Sequence, residues 1–144
     1  MSNKIRWGVL GGGGDSLIGI LHRVAASMFD SYALTGGSFN PDVNVSIAFA
    51  KEIGIPTNRI YSDIDAMIEG ELAVPENDRI QVVSILTPNF LHYPMAKKLL
   101  AAGFHVICEK PMTMTHAEAI DLQAIQKVNG NVFGLTHTYT GYPM

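Results

Sequence analysis

Cysteine is nearly missing from this sequence, with one thiol, Cys108, in 144 residues. A lone thiol cannot form an intrachain disulfide, so a disulfide-stapled secreted scaffold is excluded and a cytoplasmic location is expected. Charge is scarce too, at 16% of residues, and 10 Lys and Arg against 13 Asp and Glu leave a formal net charge of -3. There is no basic run and no interleaving of basic with aromatic residues. Neither nucleic acid nor an anionic membrane is expected as a partner. No stretch approaches the ~20 consecutive apolar residues of a transmembrane helix. The opening MSNKIRWGVL has neither the apolar core nor the cleavage site of a signal peptide. The five histidines lack Cys or carboxylate partners at ligand spacing, so no metal site is expected. A G-x-S-x-G nucleophile elbow and a G-x-x-x-x-G-K-[ST] nucleotide loop are also absent.

What is present is a hydrophobic content of 47%, enough for one packed core in a single domain spanning residues 1–144. Short apolar runs alternate with longer stretches of helical period. Ile5–Leu10 reads as a first strand, followed by a helix with Leu17, Leu21, Val24, Ala25 and Met28 on one face. Tyr32–Phe39 is a second strand. Asn40 is expected to cap the next helix, with Pro41 in its first turn, a stripe of Val43, Ile47, Ala50 and Ile53, and Gly54 at its end. A shorter helix covers Ile64–Leu72. Ile80–Leu86 reads as a strand buried on both faces, followed by a helix bearing Leu91, Met95, Leu99 and Leu100. Phe104–Cys108 is the next strand. Thr115 and Glu118 make a capping box, opening a helix with Ile120, Ala124, Ile125 and Val128 inward. Asn131–His137 is the last strand. This alternation predicts a doubly wound, mostly parallel α/β sheet, in which ligands bind beyond the carboxyl ends of the strands.

That rule turns the strand map into a site map. The first strand delivers Gly11, Gly12 and Gly13, the start of a G-x-G-x-x-G fingerprint whose third glycine is replaced by Ser16; the next glycine is Gly19. Glycine there allows close backbone approach to a diphosphate at a helix N-terminus. The second strand delivers Asn40 where an Asp or Glu would bind the adenosine ribose of NAD, and no arginine stands nearby to clamp the 2′-phosphate of NADP. NAD versus NADP therefore stays open. The third strand delivers Thr87, Pro88 and Asn89, with His92 a turn later. The fourth delivers Glu109, Lys110 and Pro111; partial burial would suit Lys110 to proton transfer. The last delivers His137.

These strand ends, with the runs WGVLGGG, VVSILTPNFLHYPMAKKLLAAGFHVICEKPMT and GLTHTYTGYP, resemble the N-terminal domain of the Gfo/Idh/MocA oxidoreductases. The resemblance covers essentially the whole chain, and GGGGDSLIGILHR resembles a subgroup with a lengthened first loop. It implies a Rossmann fold binding NAD or NADP and hydride transfer with a sugar, cyclitol or related polyol. The implied cofactor-binding residues are Gly11, Gly12, Gly13, Ser16, Ile18, Asn40, Thr87, Pro88, Asn89, His92, Glu109 and Lys110. Within that set Glu109 would meet the nicotinamide ribose. Lys110 would reach the carboxamide and the reacting hydroxyl, and His137 would lie beneath the substrate; these two are the catalytic candidates. Family members continue into a second, substrate-binding α/β domain that usually carries oligomer contacts, so a homo-oligomeric parent is implied. The sequence stops at Met144, before that domain, and an isolated domain with poor turnover is expected. The alternative is a non-catalytic module that responds to NAD(P).

Overall fold

The computed structural model describes residues 4–143; Met144 lies outside them. Five parallel strands form one sheet in the order β2-β1-β3-β4-β5. They are β1 (Ile5–Gly11), β2 (Tyr32–Ser38), β3 (Val82–Leu86), β4 (His105–Glu109) and β5 (Phe133–Thr136). The helices are α1 (Leu17–Ser27), α2 (Val43–Glu52), α3 (Ile64–Ala73), α4 (His92–Ala101) and α5 (His116–Asn129). The chain winds outward from β1 to β2, then returns to the other side of β1 for β3, β4 and β5. The carboxyl ends of β1 and β3 therefore frame the point where strand order reverses.

Burial explains the order. All five residues of β3 are buried, as a strand covered on both faces requires. Across β1 and β3 the indole Nε1 of Trp7 donates to Ser84 Oγ at 2.8 Å, which satisfies both polar groups inside the core. One apolar cluster joins Ile64, Met67, Leu99, Leu100 and Leu122 to Val83, Ile85, Val106 and Cys108. The other joins Phe39, Phe49 and Ala50 to Trp7, Val9 and Val82.

The expected elements all occur, with shorter β3 and β5 than the apolar runs suggested. Three side-chain assignments change. In α1, Leu17, Leu21, Val24, Ala25 and Met28 face outward. The opposite row of Ile18, Gly19, His22, Arg23 and Ala26 is turned inward. Small Gly19 and Ala26 let the helix approach, while His22 and Arg23 find partners beneath it. In α5 the inward side chains are Leu122 and Ile125, with Ile120, Ala124 and Val128 outside. In α2 the cap is Asp42, whose carboxylate accepts from Asn44 N at 2.8 Å. Asn40 sits before it, its Oδ1 accepting from Asp42 N at 2.9 Å, and Pro41 precedes the first turn. The capping box of α5 forms as expected between Thr115 and Glu118. Among the described residues no helix is long and apolar enough to cross a membrane.

Candidate cofactor site

The glycine loop leaves β1 and turns into α1. Gly12 has φ +67°, a left-handed conformation that side chains disfavour. Its carbonyl oxygen is held from below by Arg23, whose Nη1 donates to it at 2.8 Å, and the Arg23 guanidinium stacks 4.9 Å from the Phe49 ring centre. Gly19 lies against the same carbonyl, and a Cβ built there would stand 1.8 Å from Gly12 O. Gly19 thus performs the close helix-to-strand packing of a third glycine, one helical turn later than in the standard spacing. Ser16 is the cap of α1, its Oγ accepting from Gly19 N at 3.3 Å. The first-turn N–H groups of Leu17 and Ile18 have no acceptor within the helix and form an anion-attracting end. Ile18 itself packs its side chain into the core, so its contribution to a ligand would be backbone.

Above this loop lies a cleft of about 640 Å³, an ordinary size for a small-molecule site. It spans three strand ends and the start of α3. Gly11, Gly12, Gly13 and Ser16 line its middle, Ser38, Asn40 and Pro41 one end, and Thr87, Pro88, Leu91 and Met95 the other. Ser62 and Asp63 close the end beside Asn40. Gly13 is pinned to the second strand end by donating its N–H to Phe39 O at 3.2 Å. A Cβ at Gly13 would come within 2.8 Å of Phe39, and one at Gly12 within 2.7 Å of Leu86. At Gly12 and Gly13 the loop is thus bare backbone with no room for a side chain, which fits a dinucleotide diphosphate. Ser62, Asp63, Leu91 and Met95 had no signature in the sequence, because only folding brings α3 and α4 to the glycine loop.

The remaining sequence candidates lie around the cleft rather than in its wall. Asn89 is exposed at the start of a short 3-10 turn, Asn89–Leu91. His92 is 1% exposed, with Nδ1 2.7 Å from Pro111 O and Nε2 2.9 Å from Thr87 O. It stitches the Thr87 turn to the Lys110-Pro111 turn, whose peptide bond is cis. Glu109 is buried and Lys110 exposed, so the partial burial expected for Lys110 is not supplied by this domain: its side chain leaves the sheet edge beyond the last packed residue. Glu109 pairs with Thr136 across β4 and β5, which sets exposed His137 level with Lys110. A second depression, of about 550 Å³, lies at the amino ends of the strands beside Arg6 and Arg79. Both guanidinium groups there already donate to backbone carbonyls, Arg6 to Arg79 O and Arg79 to Glu71 O. Among the described residues no cluster of His, Cys, Asp or Glu is placed to hold a metal.

A parallel sheet with a glycine cradle at its switch point defines a dinucleotide-binding domain of the Rossmann type. The chain belongs to the Gfo/Idh/MocA oxidoreductases: the family model described as an oxidoreductase family with an NAD-binding Rossmann fold matches residues 5–137. It is 37% identical over its whole length to the oxidoreductase YfiI of Bacillus subtilis, covering 36% of that protein. It is 32% identical to the NADP-dependent scyllo-inositol 2-dehydrogenase IolW of the same organism, over 74% of this chain and 31% of IolW. Among solved structures, an inositol dehydrogenase homologue from Azotobacter vinelandii, in complex with NADH and myo-inositol, superposes with a TM-score of 0.92. That match has 40% identity and covers 96% of this chain and 36% of that one. The chain thus spans about a third of the length of these relatives. It is an NAD-binding domain of an oxidoreductase.

Proposed function

We propose that this domain is the cofactor-binding part of a dehydrogenase that exchanges hydride with a sugar, cyclitol or related polyol. The observation that carries the reading is convergence at one sheet edge. The glycine cradle, the Thr87-Pro88 turn and the Glu109-Lys110 pair all end there, at or beside the switch point. The inositol and scyllo-inositol dehydrogenases among its relatives support the substrate class. Gly11, Gly12, Gly13 and the first turn of α1 would hold the diphosphate, Ser38 and Asn40 the adenosine end, and Thr87 and Pro88 the nicotinamide end. A nicotinamide cofactor bound there supplies two-electron hydride chemistry. The protein's own part is the proton on the substrate oxygen, which Lys110 would carry with His137 beside it. Both side chains are exposed, so this domain by itself holds cofactor better than it turns over substrate.

Charge at the adenosine end favours NAD over NADP. Among the described residues no cationic side chain lines that end, and the Asp63 carboxylate does. Hydrogen bonds from Ala66 N and then Ser62 Oγ hold the Asp63 carboxyl below the usual carboxylate range, keeping it charged. A 2′-phosphate there would meet a like charge. Fluorescence titration should therefore show NADH binding about tenfold tighter than NADPH, the scale of one unfavourable charge contact. Asp63→Asn, which retains a capping oxygen for α3, should narrow that ratio. Tighter NADPH binding would overturn the preference, and binding of neither nucleotide would overturn the site.

A further inference from the structure

Glu109 is the last residue of β4, yet its carboxylate does not extend freely into the cleft. One oxygen, Oε1, lies 2.9 Å from Nε2 of His22 on α1, with both side chains about nine-tenths buried at 12% and 10% exposure. The other, Oε2, accepts from the Lys110 backbone N–H at 3.3 Å. A carboxylate can only accept, so the pair places a proton on His22 Nε2. The contact joins residues 87 positions apart, and the helix that supplies it begins at the glycine loop. α1 therefore touches both ends of the site, its first turn facing the cradle and its second reaching beneath the fourth strand end.

We propose that His22 is a positioning residue, holding the Glu109 carboxylate in the orientation that receives the hydroxyls of the ribose bearing the nicotinamide. The inference rests on the reading that this cleft binds a nicotinamide dinucleotide. Two lone pairs of Glu109 are taken by His22 and Lys110 N, and the remaining ones are free to accept. Without His22, a buried carboxylate would turn toward whatever donor it could find, and its aim at the ribose would be lost.

The test compares three probes on the chain as it stands: ADP, which ends before the second ribose, ADP-ribose, which includes it, and NADH. The expected result for His22→Leu is about tenfold weaker binding of ADP-ribose and NADH, the loss of one hydrogen bond to a charged group, with ADP unchanged. His22→Gln, which can present an N–H near the position of Nε2, should restore ADP-ribose binding, and His22→Asn, too short to reach, should not. A purely structural role would weaken ADP equally, and that result overturns the proposal, as does unchanged ADP-ribose binding in both His22→Leu and His22→Asn. If His22→Leu fails to melt cooperatively, the Gln and Asn pair decides. Wild-type chain that binds none of the probes instead overturns the dinucleotide site, and the role of His22 with it.

Discussion

On the face of the sheet that carries α3, α4 and α5, the buried apolar side chains form one continuous cluster. Leu99, Leu100 and Ala96 of α4 are fully buried there, beside Val83, Ile85 and Cys108. On the face that carries α1 and α2, the inner row of α1 is half-buried, with Gly19 alone fully covered, and its outer row is apolar and open. Leu17, Leu21, Val24 and Met28 are 71%, 53%, 54% and 71% exposed. Both helices have apolar residues at helical spacing, yet only in α4 does that stripe meet the core. The difference teaches that a helix beside a glycine loop turns toward the sheet the row that fits there, not the row that is most apolar. α1 needs Gly19 against Gly12, Arg23 under the loop and His22 under Glu109, so its leucines are left outside.

The largest effect should come from the polar knot of the closed face. Glu71 is fully buried and accepts from Arg59 Nε at 2.8 Å, Arg59 Nη2 at 2.6 Å, Tyr61 Oη at 2.7 Å and Ile80 N at 2.8 Å. Glu71→Ala strands Tyr61 Oη and Ile80 N, strips Arg59 of its carboxylate and should lower the unfolding free energy by about 3–5 kcal/mol, measured by denaturant titration. Next comes a matched pair of truncations. Leu99→Ala should cost about 2–5 kcal/mol, because its cavity cannot collapse inside a packed face. Leu21→Ala should change stability by no more than about 0.5 kcal/mol, and equal losses in the two would show that the outer face of α1 is covered in solution.

A smaller, pH-dependent effect also belongs to the closed face. Burial pushes the Cys108 thiol up to about 12, aided by the Glu109 charge, and burial with the Glu71 hydrogen bond raises Tyr61 to about 12. Both groups fold in their neutral forms, so their contribution is complete below the unfolded-state values of 9.0 and 10.0. It is lost as pH rises from there toward about 12. Stability measured across that range should fall with pH, and Cys108→Ala should flatten the first part of the decline.

Much of the fold was legible because each signal was local. The β-branched, mostly apolar run ending in Leu86 read as a central strand, and Thr115 with Glu118 marked a helix start within four residues of sequence. The strand ends were legible for the same reason, and Thr87, Pro88 and Asn40 do line the cleft. What failed was the choice between two stripes of one helix in α1 and α5, since periodicity gives an axis of amphipathicity but not which side the sheet will occupy. Asn40 and Asp42 both suit a helix cap by residue type, and only the backbone shows that Asp42 holds it.

The sequence by itself determined the alternation of strands and helices, the parallel sheet that follows from it, and the chemistry available at each strand end. These depend on residue type and short-range spacing, which the chain carries in any conformation. The tertiary structure alone decided that Asp63 lines the same cleft as Asn40 and that His22 meets Glu109. Each of these is an encounter between elements far apart in sequence, and such distances are set by packing, which no local pattern records.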